Sequence, residues 1–247
     1  MRLPGGFGFF AIDDLLFSCY YYSMWYEGIW DLPDAEWKRL LTEEVGTVAL
    51  QTIWEQRVQG CTRCELHKTR TNIVYGSGKS DQPIVAFVGE GPGEEEDKLA
   101  EPFVGKSGKL LTKMIEAMDL TRGEVYIVNS VGCRPPGNRN PNPEEIRTCR
   151  PILLSQLVAV RPRIIVALGK TAMNALMGTE EKPKAIGFLR GAWHRWRDIP
   201  LRATYHPAAM LYNPLLKLDT WRDLQEVMKR LKEPQVPSAD PVNGSLF

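Results

Sequence analysis

The sequence predicts an α/β protein: a three-layer α/β/α domain around a four-stranded parallel central sheet, with an aromatic-rich helical extension at the N-terminus. Three observations predict it. Short apolar runs rich in strand-forming residues alternate with longer stretches of helical periodicity, the pattern of a parallel sheet covered on both faces. The first run, Pro83 to Val88, breaks at once into Gly89-Glu90-Gly91-Pro92-Gly93. A buried strand ending in a glycine-rich turn puts backbone N–H groups at the carboxyl edge of a sheet, where open α/β sheets bind ligands. Two further runs end in Asn129 and before His206, so three polar features far apart in the chain are expected to meet in one crevice.

The 247 residues suit one good-sized domain with an appendage. The expected boundaries are 1–60 for the extension, 61–232 for the domain and 233–247 for a polar, proline-bearing tail. The net charge of +1 conceals an asymmetry: residues 1–60 carry four basic against nine acidic side chains, a net −5, which leaves +6 for the remainder. A polyanion-binding body behind an acidic front segment has this distribution. No run of about 18 apolar residues exists, so no membrane association is expected. Asp13-Asp14 interrupts the apolar N-terminus and no small-residue cleavage site follows, so no secretory leader is expected and the chain is assigned to the cytoplasm.

The elements follow in order. Aromatic residues from Phe7 to Trp30 crowd the first 33 positions, and as a short helix or two they need burial on the domain or on a protein partner. Leu32-Pro33-Asp34 starts a helix that ends near Gly60, with Trp37, Leu40, Leu41, Val45, Val48 and Ile53 on one face. Residues 61–82 read as loop, with Gly76-Ser77-Gly78 as a turn before the first core strand. After the acidic tetrad Glu94 to Asp97, Phe103 to Gly108 leads into a helix carrying Leu111, Met114 and Ile115. Val125 to Val128 is a second strand. The prolines of Arg134 to Pro141 forbid helix and central strand there. Pro143-Glu144-Glu145 opens the next helix, with proline at a first-turn position and acids at the positive end of the dipole. Arg163 to Leu168 is a third strand closed by Gly169, and a short helix then runs to Gly178. Leu201 to Tyr205 is a fourth, and Trp193 to Arg197 is a candidate extra strand. Asp219 to Leu231 is a last amphipathic helix.

Five cysteines and no secretory signal argue against a disulfide framework. Cys61-x-x-Cys64 with Cys133 and Cys149 supplies four thiolates, which suit tetrahedral zinc or a [4Fe–4S] cluster. Cys19 reads as packed and His67 as an ordinary loop residue. Ala100 to Ser107 nearly satisfies a phosphate loop, but that loop needs a strand directly before it and Glu94 to Leu99 is not one. Phe103 beside a proline suits a platform for a flat ring. An Asn129 amide in the crevice offers one donor and one acceptor, which matches the N3–H and O4 edge of uracil and opposes cytosine. His206 is the imidazole placed to donate toward developing negative charge. Arg134, Arg139, Arg147, Arg150, Arg163 and Lys170 form a basic stretch beside Cys133 and Cys149, suited to gripping a phosphate backbone.

Together these residues resemble the family 4, or iron–sulfur, uracil-DNA glycosylases. The resemblance covers roughly Cys61 to Leu231. It rests on the Gly89 to Gly93 turn with Glu96-Asp97, on Pro102-Phe103-Val104-Gly105 and on Asn129. It rests further on Cys133 to Arg139, the four-cysteine spacing and His206-Pro207. It implies the uracil-DNA glycosylase-like sheet, a [4Fe–4S] cluster on Cys61, Cys64, Cys133 and Cys149, and hydrolysis of the N-glycosidic bond of uracil in single- or double-stranded DNA by a monomer. It implies catalytic roles for Glu90, Asn129 and His206, and substrate contacts from Gly89, Gly91, Glu96, Phe103 and Asn129. In other branches an Asp stands where Gly91 stands here, so Glu90 is the first candidate and Glu96 the second for orienting water. Glu96 is also the candidate that excludes the 5-methyl group of thymine. Gly105 runs directly into Lys106-Ser107-Gly108 without the basic, His-bearing insertion of a covalent DNA-trapping relative, so turnover by hydrolysis is expected.

Overall fold

The structure, a computed structural model, describes residues 46–234. The aromatic stretch 1–33, Cys19, the start of the helix expected from Asp34 and the chain from residue 235 onward lie outside the described residues.

Six strands form one sheet in the order β1-β3-β2-β4-β6-β5. They are β1 (Ser77–Gly78), β2 (Val85–Gly89), β3 (Tyr126–Asn129), β4 (Ile164–Leu168), β5 (Trp193–Trp196) and β6 (Ile199–Thr204). The inner four are parallel as expected, whereas β1 and β5 are antiparallel edges. The expected four-stranded sheet is therefore extended at both sides. β1 escapes sequence reading because it is two residues long and contains Gly78 at φ +109°. Where a turn is expected at Gly76-Ser77-Gly78, the chain pairs with β3 instead. The candidate strand at Trp193 is β5, turned back onto β6 through Arg197 at φ +51°.

The helices are α1 (Gly46–Ile53), α2 (Glu94–Leu99), α3 (Lys106–Glu116), α4 (Pro143–Val160), α5 (Gly169–Met177), α6 (Ile186–Leu189), α7 (Pro207–Tyr212) and α8 (Leu216–Leu231). β2 and β4 are buried at every residue, because both faces of the sheet are covered. Alternate strand residues separate cleanly. Ala86, Val88, Ile165 and Ala167 pack on Leu153 and Leu157 of α4 and Met173 of α5. Val85, Phe87, Val166 and Leu168 pack on Leu111 and Ile115 of α3 and Leu224 of α8. That is the three-layer arrangement, read from a period of two in each strand.

Pro143 begins α4 as expected, and Asn142 caps it reciprocally with Glu145 at 2.8 Å in each direction. Of the stripe expected on the first helix, Ile53 is buried against Ala159 of α4 as expected, whereas Val48 is 61% exposed and Ala49 is buried in its place. α8 starts at Leu216, one turn before the expected Asp219.

The order β3-β2-β4-β6 makes the chain leave β2 to one side and return by β4 on the other. The switch point between β2 and β4 opens a crevice at their carboxyl ends. Register then aligns the tips: Gly89 lies opposite Asn129, and Leu168 opposite Thr204.

Beyond β6, a buried ion cluster ties the sheet to α8. Asp223 accepts hydrogen bonds from Arg202 (3.0 Å), Thr204 (2.9 Å) and Arg190 (3.1 Å) and is 1% exposed. Removing one member of such a pair leaves a buried charge uncompensated. Asp223→Ala is expected to lower unfolding free energy by about 3–5 kcal/mol in urea denaturation, and a loss below about 1 kcal/mol would contradict the account.

Candidate active site and thiol pocket

The glycine turn after β2 is shaped by what surrounds it. A Cβ on Gly89 would run into both the Asn129 Oδ1 and the Phe103 ring. Glycine is therefore required where three groups crowd one point. Asn129 is 6% exposed, and its Oδ1 is buried with no hydrogen-bond partner. A buried, unsatisfied acceptor is costly unless a ligand completes it.

Phe103 sits at φ +56°, a left-handed conformation unusual for an aromatic residue. Arg122 holds it there by donating to the carbonyls of Phe103 (3.2 Å) and Pro102 (3.0 Å). Gly108 on α3 lets the helix lie directly against the Phe103 carbonyl, where a Cβ would collide. The Phe103 ring in turn lies 5.6 Å from the His206 ring, tilted by 35°.

Glu96 braces this segment. Its Oε2 accepts from Gly93 N–H at 3.1 Å, and its Oε1 accepts from Val104 N–H at 3.0 Å and Gly105 N–H at 2.8 Å. Both oxygens are thus engaged by backbone, which ties the glycine turn to the Phe103 loop. Asp97 does the same for the preceding loop, accepting from the N–H groups of Thr71 and Asn72.

His206 caps α7 through Nδ1, which accepts from Ala208 N–H at 3.1 Å. With Nδ1 used as an acceptor, the neutral ring carries its proton on Nε2. Burial pushes the imidazole down to about 4, against a weaker upward pull from Glu96. The ring is therefore neutral at physiological pH. Glu90 leaves the end of β2, and its Oε2 accepts a hydrogen bond from the Thr171 hydroxyl of α5.

Contacts thus join Gly89, Asn129, Phe103 and His206 in sequence around one crevice, with Glu90 on the same sheet edge. Gly91 stands beside it, and a Cβ there would press Val131 Cγ2 at 2.9 Å. The phosphate-loop alternative has no support: helix α2 precedes Ala100, and Lys106-Ser107 opens α3. The basic stretch needs correcting as well. Arg139 pairs with Glu145, Arg147 with Glu181, Arg150 donates to the Ala175 carbonyl, and Arg163 donates to the Leu231 carbonyl. Arg150 and Arg163 thus tie distant segments together and Arg139 pairs with the nearby buried Glu145, whereas the Arg147–Glu181 pair lies at the surface.

Cys61, Cys64, Cys133 and Cys149 line one pocket, which extends to Asn129 and also includes His67 and Tyr75. Three of the sulfurs accept N–H groups: Cys61 from Arg63 at 3.4 Å, Cys133 from Arg70 at 3.1 Å and Cys149 from Gly132 at 3.4 Å. Burial pushes Cys149 up to about 12, and the neighbouring Cys133, Cys64 and Cys61 add to the shift. Burial also raises Cys133 and Cys64. Cys61 moves down, because Arg63 and Arg70 outweigh its burial. Four thiols this close ionise together only with positive charge between them. Among the described residues, no three His, Cys, Asp or Glu side chains meet as ligands of one ion.

Arg122, Thr171, Arg63 and Arg70 are site residues that sequence reading missed. Arg63 lies within the Cys61-x-x-Cys64 pair and Arg70 six residues after it, a local signal. Arg122 and Thr171 come from distant segments and carry none.

Fold and crevice define an α/β enzyme with its polar groups gathered at the switch point of the sheet. The model of the Uracil DNA glycosylase superfamily matches residues 75–230. A type-4 uracil-DNA glycosylase of Archaeoglobus fulgidus is 42% identical over 177 residues, covering 70% of this chain and 88% of that protein. One of Thermotoga maritima is 46% identical over 168 residues, covering 66% of this chain and 84% of that protein. A type-5 uracil-DNA glycosylase of Pyrobaculum aerophilum is 37% identical over 107 residues, covering 43% of this chain and 45% of that protein. The chain belongs to the type-4 uracil-DNA glycosylase family.

The depressed His206 value has a consequence for stability. Below an unfolded value near 6.5 the unfolded chain takes up a proton at this position that the folded chain refuses until about 4. Its contribution is therefore complete above about pH 6.5 and is lost as pH falls toward 4. One titrating group limits the slope to at most about 1.4 kcal/mol per pH unit. Unfolding free energy measured between pH 4 and 6.5 is expected to fall less steeply in His206→Gln than in the parent, and parallel curves would refute the burial of a neutral imidazole.

Proposed function

We propose that the protein excises uracil from DNA by hydrolysing the bond between uracil N1 and the sugar C1′, leaving an abasic site. The observation that carries the site assignment is the unpartnered Asn129 Oδ1, buried between Gly89 and the neighbourhood of Phe103.

A base inside the duplex is out of reach, so the target nucleotide leaves the stack. Phe103 offers its ring face to the base, and Gly89 and Gly91 leave room for it. Asn129 Oδ1 accepts from uracil N3–H while its amide N–H₂ donates to O4. Cytosine presents an acceptor at N3 and a donor at C4, so the same amide repels it. When the C1′–N1 bond breaks, its electron pair goes to the uracil and the sugar becomes cationic. His206 donates Nε2–H to O2 of the uracil anion. Being neutral, it stabilises charge that appears in the transition state without first binding a proton from solvent. Water adds to C1′ and gives up a proton, and Glu90 orients it. Glu96 acts through the backbone it braces.

Cys61, Cys64, Cys133 and Cys149 would hold a [4Fe–4S] cluster. Four soft thiolate donors with N–H groups directed at three of the sulfurs suit the iron–sulfur cluster that the family likeness implies. Bound, it would cross-link the 61–70 loop, the end of β3 and α4. All the groups invoked come from one chain, in keeping with a monomer. Thiols kept as ligands need a reducing compartment, in keeping with the cytoplasm.

Uracil release from single- and double-stranded oligonucleotides tests the activity. Asn129→Ala and His206→Ala are each expected to lose on the order of 10²–10³ in rate with cluster absorbance intact. Unchanged activity in both would overturn the site assignment, and no uracil release by the parent would leave an iron–sulfur DNA-binding module without catalysis. Metal analysis should return iron rather than zinc, and Cys149→Ser should lose it; zinc in the active parent would refute the cluster.

A further inference from the structure

Three strand tips supply the groups discussed so far. The fourth, that of β4, carries no polar residue at its end and no role in the reading above. It is nevertheless the strand across the switch point from β2. The turn that follows it touches both reacting sides of the crevice. Gly169, at φ +90°, lies so close to His206 that a Cβ there would stand 3.1 Å from the His206 Cβ. Two residues on, Thr171 is 8% exposed and its hydroxyl donates to Glu90 Oε2 across 81 positions of sequence.

The last torsion of a glutamate side chain is soft, and the carboxylate spins readily between equivalent positions. A carboxylate also has about four acceptor sites, so an untethered one orients water poorly. A hydroxyl donor on one oxygen removes both freedoms. It fixes the plane of the group, and it commits Oε2, leaving Oε1 for another partner. Thr171 is suited to this because it sits in the first turn of α5, where backbone and hydroxyl are held by a helix that is itself packed on the sheet. The dipole of that helix adds a favourable field for the carboxylate.

We infer that Thr171 is a positioning residue for the hydrolytic water: its hydroxyl holds Glu90 Oε2 so that Oε1 alone faces the water that attacks C1′. The inference rests on the reading of Glu90 as the water-orienting group. Misplacement by about 1 Å can cost on the order of 10²-fold in rate, so a tether of this kind is worth a measurable factor.

The test is single-turnover uracil release by the full-length protein, with DNA binding, iron content and melting temperature measured alongside. The variants are Thr171→Val, Thr171→Ser, Glu90→Ala and the double variant Thr171→Val with Glu90→Ala. Thr171→Val should slow the chemical step by about 10- to 100-fold and leave DNA affinity within about twofold. Thr171→Ser, which keeps the hydroxyl, should stay within about threefold of the parent. The double variant should be no slower than Glu90→Ala alone, because the two residues act as one unit. If Thr171→Val does not fold, Thr171→Ala replaces it in the same comparison. A fast Glu90→Ala would remove the water-orienting reading, and this inference with it. A slow Glu90→Ala beside a fast Thr171→Val, or costs that multiply in the double variant, would overturn the inference alone.

Discussion

The crevice exists because Gly89 has no side chain. Its Cα stands opposite Asn129 in the parallel register of β2 and β3, and a Cβ there would meet the Asn129 amide and the Phe103 ring at once. The groups proposed to read and hold the base are arranged around that missing carbon. The constraint spreads outward. Phe103 approaches only because its backbone adopts a left-handed conformation, and Arg122, Gly108 and the Glu96 brace maintain it. The strain at Phe103 is offset by hydrogen bonds from a half-buried guanidinium, which shows that the segment is held rather than merely allowed.

Two electrostatic devices divide the polar work. On the base side the fold keeps His206 neutral, using burial to lower its affinity for protons and a backbone N–H to choose its tautomer. A neutral donor costs less to bury than an imidazolium, and its Nε2–H is already in place before charge develops. On the thiol side burial does the opposite for Cys133 and Cys149, raising them until anionic sulfur is unfavourable without a cationic partner. Arg63 and Arg70 offset part of that penalty. The two regions share a wall, since Asn129 lines the thiol pocket while its Oδ1 lacks a partner. One short stretch of backbone, Asn129 to Cys133, connects the two regions.

Arginine supplies the clearest case of sequence evidence misread. A run of basic residues near cysteines suggests a surface for phosphates, yet Arg150 and Arg163 each donate to a carbonyl of a separate helix and Arg139 pairs with the buried Glu145. Guanidinium groups are well suited to this, because their five donors can satisfy several carbonyls and carboxylates together. For Arg150 and Arg163 nothing in the local sequence reveals the partners.

The sequence by itself determined the layers and the edge where chemistry occurs. Apolar runs of five or six residues, each ending in glycine, Asn129 or His206, can be satisfied only as buried parallel strands with their tips aligned. The Gly89 to Gly93 turn was legible because its meaning is contained within a few neighbouring residues. The tertiary structure alone decided the two antiparallel edges, the neutral tautomer of His206, the bracing role of Glu96 and the meeting of Thr171 with Glu90. Those outcomes depend on contacts between segments tens of residues apart and on burial, which is a property of the packed chain. A hydroxyl in the first turn of a helix looks ordinary until folding places a carboxylate against it.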